Sequence, residues 1–395
     1  MARADLGHAS RANHETHILV LGAGIAGLSS ALMLAKQGVR VSVMESKRDW
    51  ETLGAGLTIS GPSFRAIEAL GLLEDVMTHG HVHPGIKVHN PKGELLKTII
   101  SPSVHVKARG ALPGAGGILR GTLHQILLTH LERLGVRVQM GRWANRIEQD
   151  LERPQALRGP VRVHLNENQM LEVDAVVLAE GLYASSREQL YPMALKPQFT
   201  GQACWRVVLP RPPEIDHRFF FLGGSVKVGL TPVSQDEMYL FLLESIPDNP
   251  KRAREDLPGL LVELLSGFDG PLREVRAFLG ASSAIVYRPL ESHLLATPWC
   301  QGAVVLVGDA AHATTPQLAS GAGMAMEDAI VLSEEFKRTE DIPLAWMAYF
   351  ERRFDRCKMV VENSLKIGEL EQARASAMEQ AHWVEHSLER LAQPY

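Results

Sequence analysis

The 395-residue sequence has few cysteines, no long hydrophobic run and almost balanced charge. Its three cysteines, Cys204, Cys300 and Cys357, are odd in number and far apart, and none of them forms a CxxC pair. A disulfide framework and a zinc ribbon both require paired cysteines, so neither is implied. Lysine and arginine total 41 against 45 acidic residues, which gives a net charge of −4. This balance argues against a surface for nucleic acid or anionic membrane, which would need a net basic face.

The sequence also lacks a segment that could cross a membrane, because about 18 to 20 unbroken apolar residues are needed. The best candidate, residues 18–34, is interrupted by glycines and serines. Residues 1–16 carry arginines and histidines without an apolar stretch, so they are predicted to be a disordered leader rather than a signal peptide. We expect a cytoplasmic protein of two or three domains, since one domain usually takes about 150 residues.

What the sequence does have is a strand–helix–strand unit near its amino terminus. Residues 17–21 are β-branched and apolar, which predicts a buried strand. A helical pattern over 25–37 ends at Gly38, and residues 39–44 alternate as a second strand. Two parallel strands joined by a helix imply a parallel sheet.

The first turn of this unit carries a GxGxxG pattern made of Gly22, Gly24 and Gly27. Gly22 permits a tight turn, Gly24 lets a pyrophosphate approach the backbone, and Gly27 lets helix and strand pack closely. Unpaired N–H groups at the start of the helix would then face the phosphates. Glu45 ends the second strand and is followed by Ser46, in the position from which a carboxylate binds ribose hydroxyls. The pattern predicts a dinucleotide, but alone it does not separate NAD from FAD.

A second glycine-rich motif follows a predicted buried strand at 303–307. It begins with a Gly-Asp pair containing Asp309 and resembles the GD motif of the FAD-dependent aromatic hydroxylases. These are the group A flavin monooxygenases similar to p-hydroxybenzoate and salicylate hydroxylases, in which the Asp holds the ribityl chain of FAD. The resemblance implies this role for Asp309. Gly321 and Gly323 are predicted to precede a helix whose positive end faces the flavin, and Met324 is predicted to lie at the cofactor as well.

Further segments match the same family in the same order over most of the chain. The stretch 53–62, which contains Gly56, resembles the family's segment beside the isoalloxazine ring. Arg120 matches an arginine that contacts FAD in that family. Residues 179–187 resemble the DG motif, but Glu180 replaces its usual Asp. Because the glutamate side chain is one methylene longer, the resemblance does not decide what Glu180 contacts.

The resemblance implies an α/β fold, with a Rossmann-like FAD-binding domain, an inserted antiparallel-sheet substrate domain and a C-terminal helical segment. Alternating stretches between about 190 and 290, separated by Pro and Gly turns, also favour an antiparallel sheet. The predicted bounds are 17–75, 107–189 and 286–342 for the FAD-binding domain, 76–106 and 190–285 for the substrate domain, and 343–395 for the C-terminal helices.

For function, the resemblance implies a single-component monooxygenase. NAD(P)H would reduce FAD, and O2 would give a flavin C4a-hydroperoxide that hydroxylates an electron-rich ring of the phenol or hydroxypyridine type. NAD(P)H is expected to bind only transiently as a co-substrate, because the sequence has one dinucleotide fingerprint. The alternatives are a halogenase, whose WxWxIP motif lacks its second Trp at residues 205–210, and a non-catalytic flavin-binding sensor. Monomer and homodimer are both left open.

The sequence assigns no catalytic residue. Thr58, Pro316 and Tyr239 are candidates for positions close to the flavin. Some pyridine-hydroxylating relatives have a histidine where this chain has Thr58, and threonine cannot serve as a general base at neutral pH. Tyr239 alternates with leucines along its strand, and the sequence does not decide which set faces the substrate.

Histidines and glycines raise three further questions. His79, His81 and His83 have a spacing that can bind a metal, but no carboxylate or cysteine accompanies them, so no metal is predicted. His312, inside the GD motif, is interpreted as a structural histidine rather than a base. The glycine-rich stretch 110–121 is predicted to be a mobile loop, because no strand is expected to lead into it.

Overall fold

The computed structural model describes residues 16–50, 55–106, 110–152 and 159–395. Nearly all of the predicted leader and the start of the segment at 53–62 lie outside the described residues. The strands are β1 (His17–Leu21), β2 (Arg40–Glu45), β3 (Gly56–Ser60), β4 (His81–Val82), β5 (Gly85–His89), β6 (Leu95–Ile100), β7 (Val104–Val106), β8 (Gly110–Leu112), β9 (Ala115–Leu119), β10 (Val138–Met140), β11 (Ala144–Glu148), β12 (Val161–Leu165), β13 (Met170–Val173), β14 (Ala175–Leu178), β15 (Gln198–Pro210), β16 (Arg218–Phe221), β17 (Lys227–Pro232), β18 (Glu237–Ser245), β19 (Val286–Leu294), β20 (Cys300–Gln301) and β21 (Val304–Leu306). The helices are α1 (Ile25–Ala35), α2 (Gly61–Ala69), α3 (Leu73–His79), α4 (Arg120–Arg133), α5 (Ser185–Leu190), α6 (Leu257–Leu264), α7 (Pro271–Phe278), α8 (Asp309–His312), α9 (Gly321–Arg338), α10 (Ile342–Gln372) and α11 (Ala377–Ala392).

Six strands form a mostly parallel sheet in the order β10-β2-β1-β14-β21-β20. Strand β1 pairs in parallel with β2 on one side and with β14 on the other, and β14 continues to β21. Every residue of β1 and β14 is buried, as expected for a parallel sheet with covered faces. The carboxyl ends of β2, β14 and β21 therefore lie along one edge of the sheet. This edge is where ligands bind in open α/β sheets.

A second sheet has seven strands in the order β19-β15-β18-β17-β16-β5-β6. Its pairs are antiparallel except for β16 with β5. Along β18, Leu240 and Leu242 pack in a cluster with residues of α6 and α7. Tyr239 and Phe241 lie on the opposite face, in a separate cluster with Phe220 and Leu119. Tyr239 and Phe241 therefore face the side on which β9 ends at Leu119 and leads into α4. Which set faces the substrate stays a prediction.

The predicted boundary at 285/286 falls at the start of β19, and β19 pairs with β15 as the outer strand of the seven-stranded sheet. The segment 286–294, predicted to be part of the FAD-binding domain, is therefore hydrogen-bonded to the antiparallel sheet. Its far end also bridges to the GD segment, through His293 with Ala313 and Leu294 with His312. The division of the chain into domains stays a prediction. Strand β19 is hydrogen-bonded to segments of both predicted domains.

The apolar side chains of α10 pack within the chain. Trp346 and Tyr349 of α10 are fully buried, and the Trp299 ring packs against Tyr349, Phe350 and Phe354. Helix α9 lies between α1 and α10, with which it makes extensive contacts. Among the helices that the structure describes, none combines the length and apolar character needed to cross a bilayer.

The glycine-rich stretch 110–121 is not a loop, and this prediction was wrong. It forms β8 and then β9, which pairs with β3 and β4 and leads directly into α4. A Cβ atom at Gly117 would lie 2.2 Å from the Pro232 carbonyl oxygen, and one at Gly116 would lie 2.9 Å from that of His81. The glycines are needed because β9 is packed against other backbone on both sides, a role that glycine composition alone does not reveal.

Candidate cofactor and substrate site

The first glycine turn presents open backbone at the edge of the parallel sheet. Gly22 has φ +98°, and a Cβ atom there would lie 2.3 Å from the Ala179 carbonyl oxygen. A Cβ atom at Gly27 would lie 1.9 Å from the Gly22 carbonyl oxygen, so these two glycines serve the packing of turn, helix and strand. At Gly24, in contrast, a Cβ atom would have no heavy atom within 4 Å. The open space beside Gly24, at the start of α1, suits a phosphate group.

Glu45 is held rigidly next to this turn. One carboxylate oxygen accepts a hydrogen bond from the Ala23 backbone N–H at 2.9 Å. The other accepts from the Lys47 backbone N–H at 3.0 Å and from the Ser46 hydroxyl at 3.1 Å. A carboxylate has about four lone-pair sites, so Glu45 can still accept hydrogen bonds from sugar hydroxyls.

The GD motif lies at the end of β21, next to the same edge. Gly308 has φ +60°, and a Cβ atom there would lie 2.7 Å from Cβ of Ala26 in α1. Asp309 follows it and is exposed to the cleft. Desolvation by the surrounding protein and the charge of Asp328 raise the pKa of Asp309, while the charges of His312 and Arg120 lower it. Arg120 and Asp309 are thus brought within electrostatic reach of each other from opposite sides of the cleft.

Helix α4 closes the side of this cleft. Its first residue is Arg120, and one turn later the His124 ring contacts the Ala23 carbonyl oxygen at 2.8 Å. Burial lowers the pKa of His124, so this ring is neutral at physiological pH. The Trp50 ring packs edge-on against it at 4.5 Å between ring centroids. The helix therefore places Arg120 towards the GD motif and His124 towards the glycine turn.

A buried ionic network supports the GD motif from below. Asp328 of α9 accepts hydrogen bonds from the Gly308 backbone N–H at 2.9 Å, from His312 at 2.7 Å and from Arg353 of α10 at 2.8 Å. Arg353 is fully buried and also donates to Glu327 at 2.8 Å. Burial alone would lower the pKa of His312, but the Asp328 carboxylate raises it well above its ordinary value. His312 is therefore held as a cation, hydrogen-bonded to Asp328 and away from solvent. Its interpretation as a structural histidine stays a prediction.

The same network includes the atoms most suited to a metal. His312, Asp328 and Cys357 offer ligand atoms within 4.8 Å of one another. The Arg353 guanidinium already contacts Asp328 at 2.8 Å, and its positive charge opposes a cation at this place. The predicted absence of a metal stays a prediction. The run of His79, His81 and His83 does not gather into such a group in the described part of the chain.

In the segment that resembles the DG motif, the Glu180 side chain bonds to the protein's own backbone. Its carboxylate accepts a hydrogen bond from the Ser186 backbone N–H at 3.1 Å, at the start of α5, and burial raises its pKa. Arg187 in the same helix is buried and donates to the carbonyl oxygens of Leu182 and Ala310. The segment thereby connects the end of β14 to the GD motif. The extra methylene of Glu180 reaches this helix instead of leaving its carboxylate free.

Thr58 and Tyr239, both predicted to lie close to the flavin, meet in the structure. Their hydroxyl groups are 2.9 Å apart. Tyr239 also covers Gly56, because a Cβ atom at Gly56 would lie 2.0 Å from the tyrosine ring. The candidate segment around β3 is therefore pressed against the aromatic face of the seven-stranded sheet, and the two hydroxyls mark the contact.

Arg218, at the start of β16, is the residue that sequence reasoning missed. Its guanidinium lies over the rings of Phe241 and Phe220, at 5.0 and 5.5 Å from their centroids. Its Nε atom has no hydrogen-bond partner among the described residues, and no carboxylate of that part of the chain forms an ion pair with it. Burial lowers its pKa. A single cation preceding three phenylalanines was the available signal in the sequence.

His83 lies beside Arg218 and is also unpaired. The side chain is 3% exposed, and neither ring nitrogen has a hydrogen-bond partner in the described structure. Burial, and then the positive charge of Arg218, lower its pKa to about 4. The three histidines of the HxHxH run differ strongly, because His79 ends α3 in solvent and His81 is half-buried in β4. Only His83 turns inward.

The glycines of the second motif have different surroundings. A short 3₁₀ turn begins at Pro316 and precedes α9. A Cβ atom at Gly323 would lie 2.4 Å from the Ser63 hydroxyl of α2, whereas one at Gly321 would have only a methyl group of Thr314 at 3.5 Å. Met324 is buried, and its carbonyl oxygen accepts a hydrogen bond from Arg353 at 3.3 Å. Gly323 is thus required by helix packing, and Gly321 is the glycine with room beside it.

These groups fit FAD. Glu45 and Asp309 provide hydrogen-bond acceptors at the ends of two strands of one sheet. Gly24, at the start of α1, provides backbone with open space beside it. The first amides of α9 have no side-chain cap and can face negative charge. Glu45 ends β2 and Asp309 follows β21, on either side of the turn after β1, an arrangement that suits a molecule with a sugar at one end and a polyol chain at the other.

Known proteins share both sequence and fold with the chain. Residues 15–340 match the FAD binding domain family. A Bacillus subtilis protein whose name assigns it to the FAD-dependent monooxygenases is 30% identical over 353 residues, which cover 89% of this chain and 92% of that protein. The 2-heptyl-3-hydroxy-4(1H)-quinolone synthase of Pseudomonas aeruginosa is 29% identical over 95% of this chain and 94% of its own. The crystal structure of Klebsiella pneumoniae HpxO with FAD and uric acid superposes with a TM-score of 0.81, at 23% identity and 95% coverage of both chains.

Proposed function

The chain belongs to the FAD binding domain family and is a FAD-dependent monooxygenase, and from this premise we propose that it hydroxylates a negatively charged aromatic or heterocyclic ring with NAD(P)H as reductant. The charge of the substrate is the part that this chain's own residues support. The relatives above include an enzyme named for a quinolone product and a protein crystallised with uric acid, so ring heterocycles are within the range of the family.

The observation that carries the proposal is the unpaired guanidinium of Arg218. Arg218 is half-buried, and a cation that is partly removed from water loses hydration free energy, which a partner of opposite charge can return. The partner is not a side chain, since no described carboxylate reaches Arg218. A carboxylate or ring oxyanion of the substrate would supply it, through charge-assisted hydrogen bonds. Phe220, Phe241 and Tyr239 would then pack on the ring itself.

The chain's residues divide the remaining tasks. Glu45, Asp309 and Arg120 would hold the cofactor, and Gly24 would leave room for its pyrophosphate. When bound, FAD supplies the electron transfer from NAD(P)H to O2. Tyr239 and Thr58 would orient a substrate hydroxyl by hydrogen bonds, since their own hydroxyls are 2.9 Å apart and one of them must donate to the other. The apolar side chains of this face would exclude water from the reacting ring.

Substrate-stimulated oxidation of NAD(P)H tests the proposal. Ring substrates are compared in pairs that differ by one carboxylate, such as salicylate with phenol. We expect the parent enzyme to prefer the acid, and Arg218→Gln to raise KM for the acid by about 10- to 100-fold, the range for a lost charged hydrogen bond. The same variant should leave KM for the neutral phenol nearly unchanged.

Arg146→Gln is the matched control, because Arg146 is exposed and pairs with Glu148 at the surface. If Arg218→Gln weakens acid and phenol equally, Arg218 has a structural role and the proposed substrate charge is wrong. Comparison of NADH with NADPH in the same assay identifies the reductant.

We also place the enzyme in the cytoplasm, because its three cysteines form no disulfide and suit a reducing compartment. For its oligomeric state we propose a monomer or a homodimer.

A further inference from the structure

Strand β6 lies at one end of the seven-stranded sheet and exposes aliphatic side chains. Among the described strands it pairs only with β5, so its other edge has no described strand beside it. All six of its residues are exposed. Leu95, Leu96, Ile99 and Ile100 are 55%, 59%, 41% and 65% exposed, and Lys97 is the one charged residue of the strand. Single exposed apolar residues are normal, but four of them on one short strand indicate an interaction surface.

The ends of the two large sheets differ in how well they are protected against pairing with a foreign strand. At the opposite end of the same sheet, β19 contains Pro289 and the charged residues Arg288 and Glu291. The six-stranded sheet ends in β10 and β20, which have three and two residues. Proline, charge and short length all hinder pairing at a sheet edge. Strand β6 has six residues, no proline and a single charge, so its edge is suited to pairing.

Part of the β6 backbone is directed away from β5. The Ser101 N–H donates to the Pro84 carbonyl oxygen at 2.9 Å, so the backbone groups of Ser101 face β5. Neighbouring residues of an antiparallel strand direct their backbone groups to opposite edges, so Ile100 and Thr98 direct theirs outward. The pairing with β5 is regular from Lys97 to Ile100, and the register shift lies before Lys97. A further antiparallel strand can therefore bond to the groups of Thr98 and Ile100.

We propose that β6 is the interface of a homodimer, in which two copies of this strand pair in antiparallel order about a two-fold axis at Thr98. The outward backbone groups of Thr98 then bond to those of Thr98 in the second copy, and the two threonine side chains lie side by side. The two seven-stranded sheets become one continuous sheet. This interface narrows the oligomeric state proposed above to a homodimer, and it does not depend on the charge proposed for the substrate.

The sequence of β6 fits a second copy of itself in this register. An aliphatic pair lies at each end of the strand, at 95–96 and at 99–100, so rotation about Thr98 places each pair against the other. Lys97 then lies opposite Ile99 of the second copy. A register centred on Lys97 would set two lysines opposite each other, and like charges in that position destabilise a strand pair. The charge pattern thus favours Thr98 as the position of the axis.

Analytical ultracentrifugation of the FAD-loaded enzyme over a dilution series measures the dissociation constant of the dimer. We expect a dimeric parent, and Thr98→Pro should raise the constant at least tenfold, because proline lacks the N–H that each copy donates at the axis. Thr98→Val is the matched control, since it keeps the N–H and the β-branched shape and should change the constant less than threefold. Both variants should bind FAD like the parent, because the Thr98 N–H is directed away from β5. A monomeric parent, or equal weakening by the two variants, would overturn the proposal.

Cysteine cross-linking tests the register itself. A residue on a two-fold axis meets its own copy, so Thr98→Cys should form an intermolecular disulfide under mild oxidation. Lys97→Cys is the matched control, because this residue lies opposite Ile99 of the second copy and should cross-link at least tenfold more slowly. The parent, in which Cys204 and Cys357 are buried, gives the background rate. Cross-linking of Lys97→Cys as fast as Thr98→Cys, or of neither variant above the parent, would overturn the proposal.

Discussion

The cofactor edge of the parallel sheet and the aromatic face of the antiparallel sheet treat buried charge in opposite ways. At the cofactor edge, Asp328 is fully buried and receives hydrogen bonds from Gly308, His312 and Arg353. On the aromatic face, Arg218 and His83 lie enclosed with nitrogen atoms that have no partner in the described structure. The polar groups of the first region are satisfied within the protein, whereas those of the second are the ones that we propose the substrate satisfies.

Replacing an arginine by methionine in each region should give the largest difference in the free energy of unfolding. Arg353→Met removes one partner of a buried ion pair and leaves the other behind, so we expect a loss of about 3 to 5 kcal/mol in the free energy of unfolding. Arg218→Met removes a cation that has no partner among the described residues, so stability should be unchanged or slightly higher. Urea unfolding of both variants and the parent measures the difference. Equal losses would end the distinction between the two regions.

The dependence of stability on pH should separate the regions by sign. The pKa of His83 is lowered to about 4, so between pH 4 and about 6.5 the unfolded chain binds a proton that the folded chain does not. The stability that the neutral ring contributes is present above pH 6.5 and is lost as the pH falls, by on the order of 3 kcal/mol. The pKa of His312 is raised, so its contribution is present below about pH 6.5 and is lost as the pH rises through its folded pKa.

His83→Leu tests this statement, because it removes the titrating group without leaving a charge. The free energy of unfolding of this variant should fall less steeply than that of the parent between about pH 6.5 and pH 4. His293, whose pKa is also about 4, keeps part of the slope in both proteins. Identical slopes for variant and parent would show that His83 is not held neutral by the fold.

Two glycines of one helix sharpen the comparison within the cofactor side. Gly323→Val should lower the free energy of unfolding by up to about 3 kcal/mol, because the valine side chain would overlap with the Ser63 hydroxyl of α2. Gly321→Ala has space beside Thr314 and should leave the fold intact. Thermal unfolding checks both. If Gly323→Val instead folds like the parent but loses coupling between NAD(P)H oxidation and hydroxylation, the glycine serves flavin approach and not helix packing.

The smallest expected effect concerns FAD binding. Glu45→Ala should weaken it by about 1 to 3 kcal/mol, the range for a lost charged hydrogen bond. Quenching of flavin fluorescence measures the affinity. Glu132→Ala, at an exposed position of α4, is the control. Unchanged affinity in Glu45→Ala would remove this residue from the cofactor site.

The sequence predicted the FAD-binding fold because its signals are local. A glycine turn between a strand and a helix has physical requirements within a few residues, and the structure shows them at Gly22 and Gly27 as contacts with Ala179 and with the turn itself. The predicted end of the first helix was off by two residues, since α1 ends at Ala35. The prediction for the stretch 110–121 was wrong for the opposite reason. Its glycines are required by contacts with the backbone of Pro232 and His81, which lie far away in the chain.

The aromatic face could not be predicted in the same way. Arg218 becomes a candidate only when β16 and β18 place Phe220 and Phe241 beneath its guanidinium. The partnership of Thr58 with Tyr239 likewise depends on the contact between β3 and the seven-stranded sheet. Alternation along β18 showed that two sets of side chains exist, but only packing on α6 and α7 decides which set faces inward. Such pairings depend on strand register, which the spacing of residues does not encode.

The strand order of the parallel sheet has a consequence for how the protein is made. Ile18 of β1 pairs with Ala175 of β14, and Val176 of β14 pairs with Val304 of β21. During synthesis on the ribosome, β1 can pair with β2 early, but its other side must wait for β14, and β14 must wait for β21. The acid of the GD motif emerges only after β21, so a nascent chain gains a complete cofactor cleft late in translation. Release of a shortened product before Val304 would leave β14 as an open edge, which favours aggregation.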